Sequence, residues 1–412
     1  MVSKLTRRIT QSRAAWAVLD QVLFGASTFV VNVLLARLLP EADYGAFALG
    51  FTLLLLIGGV QQPLLSEPML VHTSSTFAKS PFAYQRLVVR ANWVFGLLVG
   101  GIFGVLAVAI PASSLHPAFV GLAVAAPFVL YSWLMRRVCY ANMAPALSAK
   151  AGMINLPLFL GGILVLELLG WLNVPLAFAL MGLAALVSSL WIEHQWRGGR
   201  RSDPDPQLQQ AVAKEHWQYG RWSLVSNFLY YIPVLFPYWT LGHVYGLEAS
   251  ASLRALENLA MPLATVLGNL SSFLVPNFVR SGKGTLDRQV VRFALLFAAP
   301  SLLLWLGLGL LHPWVLPLLY GDNYGSVGGL LWIFALQPLF IGLSTVFLST
   351  LRAAQKPHWI TAAYTVSASF MLGAGYLLIH AHGLAGAIGA MVATQAVLTG
   401  CAFAGWLILR RA

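Results

Sequence analysis

Arg254, Glu257 and Asn258 stand together in a stretch of chain otherwise apolar enough to cross a bilayer. Ser250, Thr265, Asn269 and Ser272 accompany them in the same segment, 248–275. Steps of three, four or seven residues keep these side chains near one helical face, which makes a polar stripe almost as long as the segment. Ser223, Ser226, Asn227, Tyr230 and Tyr231 form a similar stripe in 220–242. Gln21, Gly25, Thr28 and Asn32 do so in 15–38, with Asp20 one position aside. Ionisable groups at membrane depth are expensive and tend to mark ligand paths or proton relays. A guanidinium stays charged and offers forked donors to phosphate oxygens, so Arg254 is the candidate contact for an anionic ligand. Asn258, Asn227, Tyr230, Asn269, Gln21 and Asn32 are candidate polar contacts in a wet cleft. Asp20 and Glu257 are the candidate ion-coupling carboxylates. A second reading stays open for Arg254 and Glu257: three residues apart on one helix, they also suit a structural ion pair.

Arg37 lies in "LLARLLPEADYGAFALG", residues 34–50. It is a further candidate for the cleft, but Glu41, Asp43 and the Pro40 turn suggest a local salt bridge in a tight hairpin. Gly45 and its small neighbours would admit close helix packing there. Other chemistries find little support. His380 and His382 are two apart and point to different helical faces, and neither an HExxH motif nor a P-loop occurs, so no metal, cofactor or ATP is expected. Glu41, Asp43, Glu167, Glu248 and Asp322 are scattered between short external loops, which disfavours an enzyme. Cys139 and Cys401 are too few and too distant to imply a disulfide framework.

The elements that position these residues follow from composition. The chain of 412 residues is 58% hydrophobic and 9% charged, the balance of a polytopic membrane protein rather than a soluble one. Apolar periodicity predicts twelve spans near 15–38, 44–66, 91–110, 118–135, 146–169, 174–193, 220–242, 248–275, 290–311, 326–350, 358–379 and 384–409. The start, "MVSKLTRRITQSRAAW", resembles the basic region of a signal peptide, but no small-residue cleavage site follows, so a retained first helix is expected. Of the 25 basic residues, all but Arg37 and Arg254 fall on one side of the twelve-span topology. That bias orients this side, with both termini, to the cytoplasm. The net charge of +12 is thereby accounted for without a nucleic-acid partner.

The polar stretch "HQWRGGRRSDPDPQLQQAVAKEHWQYGR" reads as a cytoplasmic linker, 194–219, between halves 1–193 and 220–412. The halves look duplicated. "LLPEADYGAFAL" aligns with "VYGLEASASLRA", placing Ala48 opposite Arg254, and "WLMRRVCYANMAP" aligns with "FLSTLRAAQKP", placing Arg136 opposite Arg352. An even helix number gives the repeats the same orientation, so the expected architecture is all-α, two six-helix bundles around a central cleft. Pro233, Pro237 and Pro262 are expected to bend the seventh and eighth spans.

Three stretches in order carry a family resemblance: "FVVNVLLARLLPEADYGAFALG", "PLLYGDNYGSVGGLLWIFALQPLFIGLSTVFLSTLRAAQKP" and "HGLAGAIGAMVATQAV". They resemble the polysaccharide and O-antigen flippases of the multidrug/oligosaccharidyl-lipid/polysaccharide (MOP) exporter superfamily. The middle block is the most specific; spans 3 to 6 match in layout alone. The resemblance implies a MATE-like fold in a bacterial inner membrane. It implies export of a lipid-linked sugar on an undecaprenyl-pyrophosphate carrier by alternating access, for lipopolysaccharide or exopolysaccharide synthesis. Membrane lipids, a polysaccharide polymerase and glycosyltransferases are the partners it suggests. The absence of an extra helix pair after span 12 disfavours the peptidoglycan-precursor branch. The rival reading is an ion-coupled multidrug or metabolite antiporter of the same superfamily.

Overall fold

The computed structural model describes residues 2–196, 206–269, 271–280, 283–321, 323–354 and 356–411. Among them the chain is helical throughout: α1 Val2–Leu38, α2 Glu41–Gln61, a π-helical step Gln62–Ser66, α3 Glu67–His72, α4 Pro81–Ala109, α5 His116–Ala141, α6 Pro145–Leu168 and α7 Val174–Gln195. After Pro206 come α8 Pro206–Val244, α9 Leu247–Asn269, α10 Ser271–Arg280 and α11 Lys283–Tyr320. A 3-10 turn, Gly325–Leu330, leads into α12 Leu331–Phe334 and α13 Gln337–Ala353. Then come α14 Pro357–Phe370, a second π step Met371–Gly375, and α15 Tyr376–Arg411.

Nine stretches among the described residues are long and apolar enough to cross a bilayer. The last, His358–Arg410, has 53 residues, roughly 80 Å of helix against a hydrocarbon core of about 30 Å. It breaks at Gly383 (φ 54°, ψ −127°) and serves as two passes. α8 and α9 are less apolar because they carry the polar stripes, yet their 39 and 23 residues are of spanning length. With these, the described residues supply twelve helical stretches of spanning length, the number expected. Val94, Leu97, Leu98, Ile102 and Val105 of α4 are all well over half exposed, as a helix face turned to lipid should be.

The chain forms two compact units, Met1–Val31 with Leu49–Asn227, and Asn32–Ala48 with Phe228–Ala412. α1, α2 and α8 each run from one unit into the other. In the first unit, Met69, Tyr84, Leu134, Val138 and Cys139 pack into one buried cluster that also takes Val212 of α8. In the second, Leu274, Phe297, Phe347, Leu351 and Trp406 form another.

The helix of the seventh span starts earlier than its hydropathy predicts. Residues 206–219, expected as linker, continue α8 as an amphipathic helix with Pro206 at its start, a position proline suits. Leu208, Val212 and His216 recur every four residues on the face packed into the first unit. Polarity concealed this helix, because only one residue in four needs to be buried. Residues 197–205 of the expected linker lie outside the described residues.

The duplication is visible in the turns. Glu41 opens α2 and Leu247 opens α9, the register in which Ala48 faces Arg254 in the alignment. The second pair of turns is related by proline, not by arginine. Ala144 before Pro145 and Lys356 before Pro357 share their backbone angles, φ −117° and ψ 55° against φ −111° and ψ 64°. The amide of Ala144 donates to Cys139 O at 2.9 Å, and that of Lys356 to Leu351 O at 3.0 Å. The expected pairing of Arg136 with Arg352 is therefore corrected: in this register Arg352 corresponds to Tyr140. Gly45 meets its expectation of close packing. A Cβ there would lie 2.1 Å from the carbonyl oxygen of Leu247, so the N-terminal turns of α2 and α9 touch backbone to backbone.

Candidate functional site

In the second unit, α9 presents Arg254, Glu257 and Asn258 on one face, because side chains three and four residues apart are neighbours on a helix. Arg254 Nη1 donates to Glu257 Oε2 at 2.9 Å, and Arg254 Nε to Asn32 Oδ1 at 3.3 Å. Tyr238 Oη of α8 donates to the same carboxylate oxygen of Glu257. Asn258 Nδ2 donates to Tyr44 Oη at 2.9 Å, while Ser250 Oγ donates to the Tyr238 carbonyl at 2.9 Å. Arg254 is 8% exposed, Asn258 7%, Glu257 3% and Asn32 3%. The guanidinium, its carboxylate and their amide and phenol partners thus form one enclosed polar cluster, with the Tyr324 ring edge-on to Tyr44 and Tyr320 edge-on to Tyr324. The structural ion pair left open by the sequence is formed. It also has the makings of an exchange site: an anion on Arg254 would release Glu257, and a proton or cation on Glu257 would release Arg254.

Three other candidates of this unit stand apart from the cluster. Tyr230 is half exposed and meets Tyr231 and Tyr364 edge-on, with ring centroids 5.4 and 6.0 Å apart. Asn269 ends α9, and its side chain lies outside the described residues. Arg37 is exposed and donates Nη1 to the Leu318 carbonyl at 3.4 Å. The local salt bridge expected with Glu41 or Asp43 is not among the ion pairs of the described residues. Leu318 lies in the last turn of α11, where unpaired carbonyls favour a cation, so Arg37 caps a neighbouring helix instead.

The first unit holds the remaining candidates in two places. Asp20 of α1 is 1% exposed. Its Oδ2 accepts from Arg136 Nη2 at 2.9 Å and Tyr140 Oη at 2.6 Å, and its Oδ1 from Ser148 Oγ at 2.9 Å. Gln21 Nε2 reaches Tyr140 Oη at 3.4 Å, and the Arg136 guanidinium lies over the Phe24 ring, 4.1 Å from its centroid. Three side chains of α5 and α6, Arg136, Tyr140 and Ser148, thereby fix the middle of α1.

Asn227 belongs to a different construction, a zipper between α8 and the irregular end of α2. Pro63 and Pro68 have no N–H to return to the carbonyls four residues earlier, those of Gly59 and Leu64. Side chains of α8 reach both: Asn227 Nδ2 donates to Gly59 O at 3.1 Å, and His216 Nδ1 lies 2.7 Å from Leu64 O. Between them Gly220 lets the backbones meet, since a Cβ there would lie 2.7 Å from Pro63 O. Glu67 accepts from Ser223 Oγ at 2.9 Å and from Gln62 Nε2 at 3.0 Å. An N–H at His216 Nδ1 leaves Nε2 to accept from Tyr84 Oη, 2.7 Å away.

The zipper makes a pH prediction. His216 precedes the apolar stretch 220–242 of α8, outside the span, and burial pushes its pKa down, with the nearby His72 ring acting in the same direction. A histidine depressed in the fold stabilises it fully above its unfolded value of about 6.5 and loses that contribution as pH falls below it. The thermal midpoint of the detergent-solubilised protein should therefore fall between pH 7.5 and 5.5. His216→Gln, which can still donate to Leu64 O, should flatten that slope; an unchanged slope would locate the titration elsewhere.

Sequence reading missed Tyr44, Tyr238, Arg136, Tyr140, Ser148 and His216. Tyrosines in apolar segments carry no pattern, and Arg136 reads as one more cytoplasmic charge. The zipper did leave a signal: Pro63 and Pro68 each sit four residues after a carbonyl that then needs an outside donor.

No protein-family model matches the chain, and no curated protein matches it by sequence. Solved structures do. An inward-facing multidrug resistance MATE transporter of the MOP superfamily superposes with a TM-score of 0.76 at 14% identity, covering 96% of this chain and 98% of the other. The fold is that of the MOP-superfamily transporters. The lipid II flippase MurJ, in an inward closed conformation, gives 0.70 at 12% identity over 95% and 87%. A MOP-superfamily transporter from Pyrococcus furiosus, described by the reverse polarity of its binding pocket, gives 0.64 at 12% over 95% and 92%. Likeness to this MOP fold extends over nearly the whole chain.

Proposed function

We propose that this chain is a flippase that moves a lipid-linked oligosaccharide or polysaccharide precursor from the inner to the outer leaflet of a bacterial cytoplasmic membrane. The observation that carries the reading is the buried Arg254 of α9, held by Glu257 of the same helix and by Asn32 of α1. A pyrophosphate is the ligand a preorganised guanidinium serves best, and asparagines and tyrosines nearby suit sugar hydroxyls. Undecaprenyl pyrophosphate is the carrier proposed, with both termini cytoplasmic and with glycosyltransferases and a polymerase as partners. An inside-negative potential drives an anionic headgroup outward by about 2.3 kcal/mol per charge per 100 mV. A proton or sodium ion at Glu257 would reset Arg254 after release. The likeness to MurJ, a lipid II flippase by name, supports this reading.

The likeness to a MATE multidrug transporter supports the alternative, an ion-coupled antiporter of drugs or metabolites, to which the carboxylates of Asp20 and Glu257 would lend cation affinity. Proteoliposomes separate the two. Loaded with a polyprenyl-pyrophosphate oligosaccharide in one leaflet, they should expose its glycan to a membrane-impermeant glycosidase on the other side. Transport of a cationic dye on an imposed ion gradient, with no glycan exposed, would overturn the flippase reading in favour of the antiporter.

A further inference from the structure

The second unit carries a groove of about 670 Å³ between α11 and α15. Arg288, Arg292 and Arg410 line one end, with Asp287 among them. Asp287 is taken by Arg410 in an ion pair of 2.8 Å. Among the described residues no carboxylate pairs with Arg288 or Arg292. These two are exposed and four residues apart, so they share one face of α11. Further along the same groove come Val291, Leu295 and Leu296, exposed by 50%, 66% and 54%. From Arg288 to Leu296 the helix rises roughly 12 Å, and over that distance the groove changes from cationic to wholly apolar. Trp406 forms its buried wall, stacked on Phe347 and lying 5.9 Å below the Arg410 guanidinium.

We infer that this groove is a binding site for an anionic glycerophospholipid of the cytoplasmic leaflet, its phosphate held by Arg288 and Arg292 and its acyl chains laid over Leu295 and Leu296. Charge complementarity selects the headgroup: two arginines that pair with no carboxylate among the described residues suit a phosphate, which carries a negative charge. The apolar half selects a lipid over a soluble phosphate, because exposed leucines gain nothing from an ion. The position suits the ligand, since α11 begins at the end of the chain's basic cytoplasmic side, where basic pockets between helices meet anionic headgroups. A bulk lipid, present as solvent, fills such an open site by mass action. The inference does not depend on what the protein transports.

The test uses the full-length protein in nanodiscs of phosphatidylcholine with or without phosphatidylglycerol, extracted and examined by native mass spectrometry. Wild type should retain phosphatidylglycerol in preference to phosphatidylcholine. Arg288→Gln with Arg292→Gln should lower that retention about tenfold or more, with the thermal midpoint in phosphatidylcholine alone unchanged. Arg292→Lys, which keeps the charge, should hold most of it, and Lys79→Gln, a basic change elsewhere, should leave it as in wild type. Equal retention in the double glutamine variant would overturn the site. So would retention of added undecaprenyl phosphate with exclusion of phosphatidylglycerol, which would make the groove an isoprenoid site instead.

Discussion

Arg254→Ala should lower the stability of the solubilised protein by about 3–5 kcal/mol, the usual effect of stripping one partner from a buried ion pair. Glu257, only 3% exposed, would keep Tyr238 as a donor but lose its counter-charge. Asn32 would lose its guanidinium partner in the same step. Abundance in the membrane and the thermal midpoint in detergent both report this loss. Arg254→Ala with Glu257→Ala removes both charges and should regain much of the stability, and this double variant separates two roles for the arginine. If Arg254 binds the pyrophosphate, the double variant is stable but no longer binds a polyprenyl-pyrophosphate substrate, a readout that loss of ion coupling at Glu257 does not move. If Arg254 serves only to neutralise Glu257, it is stable and binds that substrate as wild type does. We expect the first result, with Arg254→Lys partly active because it keeps the charge but not the fork.

The clusters show where sequence is informative and where it is not. Spacing within one helix is legible, because helical geometry alone brings i, i+3 and i+4 together. Arg254, Glu257 and Asn258 were found that way, and Gly45 was found from the small residues around it. Hairpins written twice are legible too, since Glu41 and Leu247 open helices in the register the alignment gives. Contacts between distant helices are not. Asp20 meets Arg136 across 116 residues, and nothing local to either segment pairs them. Arg37 is the reverse case: its two acidic neighbours made a local bridge attractive, yet the free carbonyls at the end of α11 compete for the same guanidinium. The start of α8 was hidden by composition, as a helix that buries one narrow face can be polar everywhere else.

Asp20 is the residue for which sequence and geometry suggest different roles, and its variants should tell them apart. A lone carboxylate in a membrane helix reads as a coupling group, but here it is enclosed by Arg136, Tyr140 and Ser148 within one unit. Asp20→Asn keeps an oxygen for Tyr140 or Ser148 and leaves Arg136 without its counter-charge. With the Arg136 side chain 18% exposed, solvent relieves part of that loss, so about 3 kcal/mol, the lower end for a broken buried pair, is expected. Asp20→Asn with Arg136→Gln should recover most of it, because both charges then leave together and the amides can bond to one another. Transport by that double variant, measured against imposed pH and sodium gradients, decides the role. The enclosing bonds predict wild-type dependence on both gradients, which would make Asp20 an anchor for α1 and leave coupling to Glu257. Stable protein whose transport no longer responds to either gradient would return the coupling role to Asp20.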